Sequence, residues 1–259
     1  MSVLRRLALA VLGVLCLEAL AARPVNASEG SLAAGGAATR SADFLGESAS
    51  ADARETADWV VRSGDNQGRP FIIVDKKATK VFVFDGRANL RGATMALLGL
   101  AVGDESAPGV GDRPLSQIRP EERTTAAGRF VASFGLNLAG QDVLWIDYDA
   151  ALALHRVLTP GTSQHRLERL APQSALSRRI TFGCINVPVE FYEGVVQAEF
   201  RGTGGVVYIL PETRPIHEVF PGQRAGSERP APLAPAASAS AGRSAPDRTV
   251  RLGANAAGV

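Results

Sequence analysis

The sequence contains few cysteines and histidines, a nearly balanced charge, and no long hydrophobic run after its first residues. Its 259 residues include 2 Cys and 3 His, and the formal net charge is +2. This balance gives no indication of nucleic-acid binding, and no basic stripe with interleaved aromatic residues is present. At 46% hydrophobic residues the chain can bury one sizeable core. The composition therefore predicts one globular domain with flanking segments.

The only long hydrophobic run covers residues 7–22 and follows Arg5 and Arg6. It is interrupted by Glu18, and small residues at 19–21 or 25–27 offer cleavage sites. This pattern predicts a secretory signal over residues 1–27 and an extracytoplasmic, for example periplasmic, location. The alternative is an uncleaved membrane anchor, for which the run is short. After signal removal we expect no stable membrane insertion.

Removal of the signal would also remove Cys16 and leave Cys184 as the one cysteine. A disulfide framework within one mature chain is then excluded. The remaining thiol is an inert buried group, an intermolecular bridge or a catalytic nucleophile. Composition alone leaves these three alternatives open.

The rest of the chain divides by composition. Residues 28–54 are rich in Ala, Gly and Ser and predict a flexible linker. A short helix over residues 51–61, with Gly64 as its stop and Trp59 as its anchor, falls largely within a helix-and-connection unit at 55–68. Residues 69–215 are predicted to form the catalytic domain. Residues 216–259, rich in Pro, Ala and Ser, predict a disordered tail.

Within the domain, short apolar runs bounded by turn residues predict strands. The predicted strands are 71–74, 81–84, 95–102, 128–133, 143–148, 152–157 and 206–210. Many strands with one or two helices indicate a mainly β fold, a β-sandwich or open barrel flanked by disordered N- and C-terminal segments.

The segment 178–188 contains the residues most indicative of chemistry. Gly183 lets backbone approach closely or turn unusually. Asn186 is predicted to cap the helix that follows, with Pro188 in its first turn. Cys184 would then lie just before a helix N-terminus, where unpaired N–H groups favour a thiolate.

A nucleophilic thiol needs a base, and the chain offers three histidines. His155 ends an apolar strand and is the predicted base. His165 lies in a polar, loop-like segment, and His217 lies near the C-terminal edge of the domain. His165 is the alternative base if His155 proves dispensable.

The segment Thr181-Phe182-Gly183-Cys184-Ile185-Asn186 resembles the signature of the L,D-transpeptidase (YkuD) family, Ser/Thr-His-Gly-Cys-apolar-Asn or Arg. Residues 124–130 are similar to that family's Thr-Pro-x-Gly-x-Phe segment, and residues 73–84 resemble its first hairpin. The resemblance covers roughly residues 69–212. His155 matches the family's upstream histidine in position and context.

The resemblance implies acyl transfer on peptidoglycan stem peptides without a metal or organic cofactor. Cys184 would attack the carbonyl of the third stem residue, His155 would be general base and acid, and N–H groups around Gly183 and Cys184 would bind the oxyanion. Arg179, Asn186 and Thr181 are the expected substrate-binding residues.

Several alternatives stay open at this point. The sequence leaves the acyl acceptor open between an amine and water, so an L,D-carboxypeptidase or hydrolase on the same fold is one alternative. A non-catalytic wall-binding module is another, because Phe182 replaces the family's second histidine. A dimer linked through Cys184 is the third, and the sequence leaves the oligomeric state undetermined. The interval from His155 to Cys184 (184 − 155 = 29 positions) includes a polar loop, residues 159–177, predicted to form a lid or crossing surface.

Overall fold

The computed structural model describes residues 41–157, 165–171 and 174–223. Within these ranges the chain forms ten strands. They are β1 Phe71–Asp75, β2 Lys80–Phe84, β3 Leu90–Met95, β4 Leu98–Gly99, β5 Gly128–Leu136, β6 Asp142–Asp147, β7 Leu152–Arg156, β8 Arg179–Thr181, β9 Ile185–Val187 and β10 Gly205–Ile209. The predicted mainly β fold is confirmed.

Eight strands form one curved sheet in the order β3-β2-β1-β10-β5-β6-β7-β9, and β4 pairs with β8 in a separate small sheet. β1 and β10 are parallel, as are β7 and β9. After β3, the backbone of Leu97 exchanges two hydrogen bonds of 2.9 Å with Asn186, next to the other end of the sheet. The sheet is therefore nearly closed into a barrel.

Strands β1, β2 and β10 are buried along their whole length because both of their faces are covered. Alternate residues such as Ile72 and Val74 point into the larger core inside the curved sheet. Their neighbours Phe71 and Ile73 point into a second core on the outer face. This double coverage explains why these strands are continuous hydrophobic runs in the sequence rather than alternating ones.

Helix α1, Ala51–Ser63, covers the second core, as the sequence predicted. The Ser50 hydroxyl caps it by accepting a hydrogen bond from the Ala53 N–H, and Gly64 ends it in a left-handed conformation. Trp59 packs edge-on against Tyr208 with ring centroids 5.8 Å apart. The helix is thus anchored by the aromatic residue that the sequence indicated.

A second helical segment follows β9 and packs inside the sheet. It consists of α3 Val189–Phe191, a π-helical turn Tyr192–Val196 and α4 Gln197–Phe200, and Tyr192, Val196 and Phe200 belong to the larger core. The remaining helices are short: α2 Arg166–Leu170, α5 Ile216–Val219, and 3-10 turns at Val110–Asp112, Leu115–Gln117, Pro120–Glu122 and Ala175–Arg178.

The long strand predicted over residues 95–102 is wrong, because successive residues of this stretch pair with different partners. Ala96 donates to Thr79 beside β2, Leu97 pairs with Asn186, and Leu98 pairs with Arg179. The chain is crossing from one end of the sheet to the other. A hydrophobic run is needed here because the crossing passes through the core, so hydrophobicity alone does not distinguish it from a strand.

Two predicted segment boundaries also differ from the structure. Residues 41–54, assigned to a linker, pack on the domain: Phe44 is buried against Phe82 and Phe84, with centroid distances of 5.1 and 5.4 Å. Residues 216–223, assigned to the tail, include α5 and the buried Phe220. In both segments a single phenylalanine packs into the core, and the Ala- and Pro-rich composition around it gives no indication of this packing.

The predicted signal at 1–27, the linker up to residue 40 and the tail from residue 224 lie outside the described residues. Among the residues that are described, every helix is too short or too polar to cross a lipid bilayer.

Candidate active site

The candidate site lies on the outer face of the sheet, where β6, β7 and β9 adjoin. On these strands Leu144, Leu154 and Ile185 point into the larger core. The alternate positions Trp145, Ala153 and Cys184 form a small cluster on the opposite face. The parallel register places His155 beside Asn186, two residues beyond Ala153 and Cys184 respectively. His155 and Cys184 are therefore on the same face of two neighbouring strands.

The imidazole of His155 is buried and held at both nitrogens. Nδ1 lies 2.9 Å from the backbone oxygen of Arg156, which can only accept, so Nδ1 carries the proton. Nε2 lies 3.0 Å from the side-chain amide nitrogen of Asn186, which donates to it. Burial lowers the pKa of His155 to about 4, and the charges of Arg166 and Arg156 act in the same direction. The ring is neutral at pH 7, with its basic nitrogen at Nε2.

Asn186 lies in β9, so its predicted role as a helix cap is wrong. The N-cap position of α3 belongs to Pro188, and a three-residue strand separates Cys184 from the helix. The Asn186 side chain instead joins two other groups. Its Oδ1 accepts a hydrogen bond of 3.1 Å from Arg166, and its Nδ2 donates to His155. The short strand also removes the predicted contribution of a helix N-terminus to thiol acidity.

Arg166, at the start of α2, is a component of the site that the sequence analysis did not single out. Arg166 is 5% exposed, and its charge acts on both His155 and Cys184. It lies in the long interval between the two predicted catalytic residues. Two features of the sequence could have indicated Arg166. One is the length of that interval, and the other is the basic residue at the start of the amphipathic segment Arg-Leu-Glu-Arg-Leu.

Cys184 is free and 6% exposed. Its Sγ donates a hydrogen bond of 3.4 Å to the backbone oxygen of Ala151, an arrangement that suits a thiol and not a thiolate. Burial raises the pKa of Cys184 to about 11, while a backbone hydrogen bond from Ala153 and the charge of Arg166 oppose this rise. The resting state is consequently a neutral thiol beside a neutral imidazole.

Among the described residues, no hydrogen bond joins Cys184 to His155 directly. The thiol is turned to Ala151, and the free lone pair of His155 accepts from Asn186. Proton transfer between the two groups therefore requires the Asn186 amide to leave Nε2 and the Cys184 thiol to turn from Ala151 toward that nitrogen.

Gly183 has φ +135°, a conformation that side-chain-bearing residues rarely adopt. A Cβ at this position would lie 2.8 Å from the backbone oxygen of Thr124. The Thr125 hydroxyl accepts from the Gly99 N–H at 2.9 Å and donates to the Gly183 oxygen at 2.7 Å. The segment 124–130, which carried part of the family resemblance, thus holds the turn before Cys184.

Thr181 is fully buried and stabilises the same turn from within. Its hydroxyl donates to the backbone oxygen of Cys184 at 2.7 Å and accepts from the Gly183 N–H at 3.2 Å. Thr181 therefore supports the turn that carries Cys184, and its burial disagrees with the substrate-binding role that the sequence suggested.

Arg179 lies away from the thiol, in a buried ionic cluster. Its guanidinium bonds to Glu212 and, at 3.0 Å, to the backbone oxygen of Lys76. The Lys76 ammonium lies 2.7 Å from Asp104, which also accepts hydrogen bonds from residues 212–214. These contacts disagree with the predicted substrate-binding role, because the side chain is engaged in joining the C-terminal segment to the domain.

Two further groups complete the surroundings. His165, the alternative base, is exposed and lies 3.2 Å from Glu168, so it is not part of the cluster. The ring of Phe182 is half-buried, with the guanidinium of Arg123 at 4.1 Å from its centroid. Within the described ranges, no three His, Cys, Asp or Glu side chains gather in a way that could hold a metal ion.

Fold and site together define a mainly β domain with a buried Cys–His–Asn–Arg cluster on the outer face of a nearly closed sheet. Among solved structures, the chain is similar to an NMR structure of the catalytic domain from E. faecium L,D-transpeptidase. That similarity covers 55% of this chain and 98% of the other, with 15% sequence identity and a TM-score of 0.33. No protein-family model matches the chain, and neither does any curated protein. The assignment of function therefore rests on the side chains around Cys184.

Proposed function

We propose that this protein is an exported cysteine acyltransferase of the L,D-transpeptidase type, acting on peptidoglycan stem peptides. The observation that carries the proposal is the placement of Cys184 and His155 on one face of β7 and β9, with the imidazole proton held on Nδ1. This leaves Nε2 as the atom that takes the thiol proton. The motif resemblance at residues 181–186 supplies the substrate class.

In the first half-reaction, Cys184 Sγ attacks the carbonyl carbon of the third residue of a tetrapeptide stem, and the thiol proton passes to His155 Nε2. The tetrahedral oxyanion accepts hydrogen bonds from the backbone N–H groups at Gly183 and Cys184. The Gly183 N–H bonds Thr181 at 3.2 Å in the resting site, a long bond that an oxyanion would replace. Breakdown expels the terminal residue as an amine, which takes the proton from His155.

In the second half-reaction, the amine of a neighbouring stem attacks the thioester and gives its proton to His155. The thiolate leaves and regains that proton, so the site returns to its neutral state. Each step moves one proton between sulfur, imidazole and substrate. A neutral starting pair means that neither reacting group carries a charge before substrate arrives, which fits the burial of both side chains.

One observation favours a second candidate, a non-catalytic wall-binding domain. Cys184 is buried, and Asn186 occupies His155 Nε2 in the resting state. The same burial argues against a dimer joined through Cys184, because disulfide formation needs an accessible thiolate.

Incubation with purified disaccharide-tetrapeptide, followed by mass spectrometry of the products, tests these candidates. Transpeptidation predicts loss of the terminal residue together with dimers cross-linked through the third residue. Tripeptide without dimers would assign an L,D-carboxypeptidase instead. Unchanged tetrapeptide, with binding to intact peptidoglycan retained, would assign the wall-binding role. The Cys184→Ala variant is the matched blank.

Export is part of the proposal and rests on the pattern at residues 1–27. Intact-mass analysis of the protein from an envelope fraction should show loss of these residues. An uncleaved chain in the membrane fraction would favour the anchor.

A further inference from the structure

The segment inserted between the two proposed catalytic residues places an arginine in the site. α2 is a five-residue helix, and Arg166 opens it. Although α2 carries exposed residues such as Leu167, the side chain of Arg166 is buried and donates to Asn186. A buried guanidinium is costly unless neighbouring groups use its charge and its donors. Its neighbours here are the side chains proposed to perform the reaction.

The hydrogen bond from Arg166 fixes the orientation of the Asn186 amide, in agreement with the proton on Nδ1 of His155. A guanidinium only donates, so the Asn186 atom that it contacts must be the oxygen. The amide nitrogen is then the atom that faces His155, and it can only donate to Nε2. His155 must therefore carry its proton on Nδ1, where the Arg156 oxygen accepts it. Two hydrogen bonds in series connect Arg166 to the base, and a third holds the Nδ1 proton of the base.

The charge of Arg166 acts in addition to this hydrogen bond. It favours the thiolate of Cys184 and disfavours the imidazolium of His155. Arg156, whose guanidinium bonds to Asp142 at 3.1 Å, is the other cation that acts on His155. Within the part of the chain that the structure describes, Arg166 is the charged side chain that acts on both the sulfur and the imidazole.

We propose that Arg166 is the positioning residue of this site, fixing the Asn186 amide as the donor to Nε2 of His155 and compensating the negative charge of the Cys184 thiolate. This inference rests on the proposed acyl-transfer function and adds a part that the resembling motif does not contain. The consequence is that a fixed cation offsets part of the burial that keeps the thiol protonated, while His155 remains the base that takes the thiol proton. The thiolate expelled in the second half-reaction is stabilised by the same charge.

The test is the pH dependence of Cys184 alkylation by iodoacetamide, followed by intact mass in the full mature chain. Arg166→Gln keeps a donor for Asn186 but removes the charge, and Arg166→Lys keeps the charge. Arg91→Gln is the matched control, because it removes a cation whose partner is the Glu199 carboxylate and not a side chain of the cluster. Circular dichroism melts establish that each variant is folded.

For Arg166→Gln we expect alkylation at pH 8 to slow by about tenfold, because the thiolate fraction falls as the thiol pKa rises. Arg166→Lys should stay within about threefold of the original protein, and Arg91→Gln should match it. The direction of the change in alkylation rate distinguishes loss of the charge from loss of packing around Cys184. A loosened site would relieve burial and lower the pKa of Cys184, so faster alkylation of Arg166→Gln overturns the proposal. Superimposable profiles also overturn it.

A second readout uses the histidine. Long-range ¹H–¹⁵N spectra should show a Nδ1-protonated His155 in the original protein and a shifted Nε2 resonance in Arg166→Ala, because the Asn186 amide is no longer held as the donor to that nitrogen. An unchanged Nε2 resonance in that variant contradicts the positioning role. Neither readout needs turnover. A shifted alkylation profile without muropeptide turnover would therefore refute the proposed function alone, and turnover with an unshifted profile would refute the role of Arg166 alone.

Discussion

The side-chain amide nitrogen of Asn186 lies 3.0 Å from Nε2 of His155, the nitrogen that a general base would use. The proposed base is therefore already hydrogen-bonded at Nε2, and the thiol of Cys184 is hydrogen-bonded to the backbone oxygen of Ala151 at 3.4 Å. Both contacts must be exchanged for a direct one before chemistry begins. Substrate binding is the event that we expect to drive the exchange, since it brings a new acceptor and new apolar surface to the site.

Replacing Asn186 with Asp should change the charge state of His155. A carboxylate at Nε2 can only accept, so the ring must carry protons on both nitrogens to satisfy both contacts. We expect the pKa of His155 to rise by about 1 to 3. Titration of the histidine Cε1–H resonance measures this, with Asn137→Asp in the turn before β6 as the control for the added charge. An unchanged His155 titration would contradict the Asn186–His155 hydrogen bond.

His155 should make the domain less stable in acid. Its pKa is lowered from its usual value of about 6.5 to about 4 by burial, so the unfolded chain binds this proton first as pH falls. The contribution is fully present above pH 6.5 and is lost as pH falls through about 4. Across that window the loss is on the order of 3 kcal/mol.

Urea unfolding of the original protein and of His155→Gln at pH 7 and pH 4.5 checks this expectation. The variant should lose less free energy of unfolding between the two pH values than the original does. Equal losses would mean that His155 is not buried in its neutral form.

Gly183 is required both for its backbone conformation and for the space that it leaves. Alanine there would combine the cost of φ +135°, about 1–3 kcal/mol, with a clash against the Thr124 oxygen at 2.8 Å. Gly140→Ala is the matched control, because it has φ +74° with nothing within 4 Å of the added Cβ.

Thermal melts should show a larger loss for Gly183→Ala than for Gly140→Ala, and only the former should alter the alkylation rate of Cys184. Equal losses from the two substitutions would indicate that the turn before Cys184 can relax.

Arg179 should affect stability and leave the thiol unchanged. Arg179→Met leaves Glu212 beside Lys76 without its main partner, and breaking a buried pair of this kind costs about 3–5 kcal/mol. Lys77→Met breaks a pair with Asp52 in which the lysine side chain is 56% exposed, and should cost less than about 1 kcal/mol. Denaturant unfolding measures both. A large fall in substrate affinity of Arg179→Met at unchanged stability would restore the substrate-binding role.

The sequence predicted the strands whose side chains are hydrophobic on both faces, such as β1, β2 and β10, because continuous burial leaves a continuous hydrophobic run. It did not indicate β3, whose Arg91-Gly92-Ala93-Thr94 interior is small and polar at the edge of the sheet. The three-residue strands β8 and β9 were also missed. Strands this short have no measurable periodicity, and they form because the neighbouring backbone offers partners.

The proposed nucleophile and base follow from the residues of the motif and from the scarcity of cysteine and histidine. The contacts that set their protonation do not. Arg166 reaches Asn186 across 20 residues, and Arg179 reaches Glu212 across 33, so neither partner follows from local spacing. The assumed helix cap at Asn186 failed for the same reason, because pairing with Leu97 and β7 outweighed a local preference for capping.

The most direct test of the account is the intact mass of the mature protein after brief incubation with a disaccharide-tetrapeptide and rapid acid quench. The account predicts a covalent adduct on Cys184 with the mass of the donor less its terminal residue. This adduct should be absent from Cys184→Ala, strongly reduced in His155→Ala, and lost on adding an acceptor amine. An unmodified Cys184 in folded protein that binds the same donor would contradict the central claim.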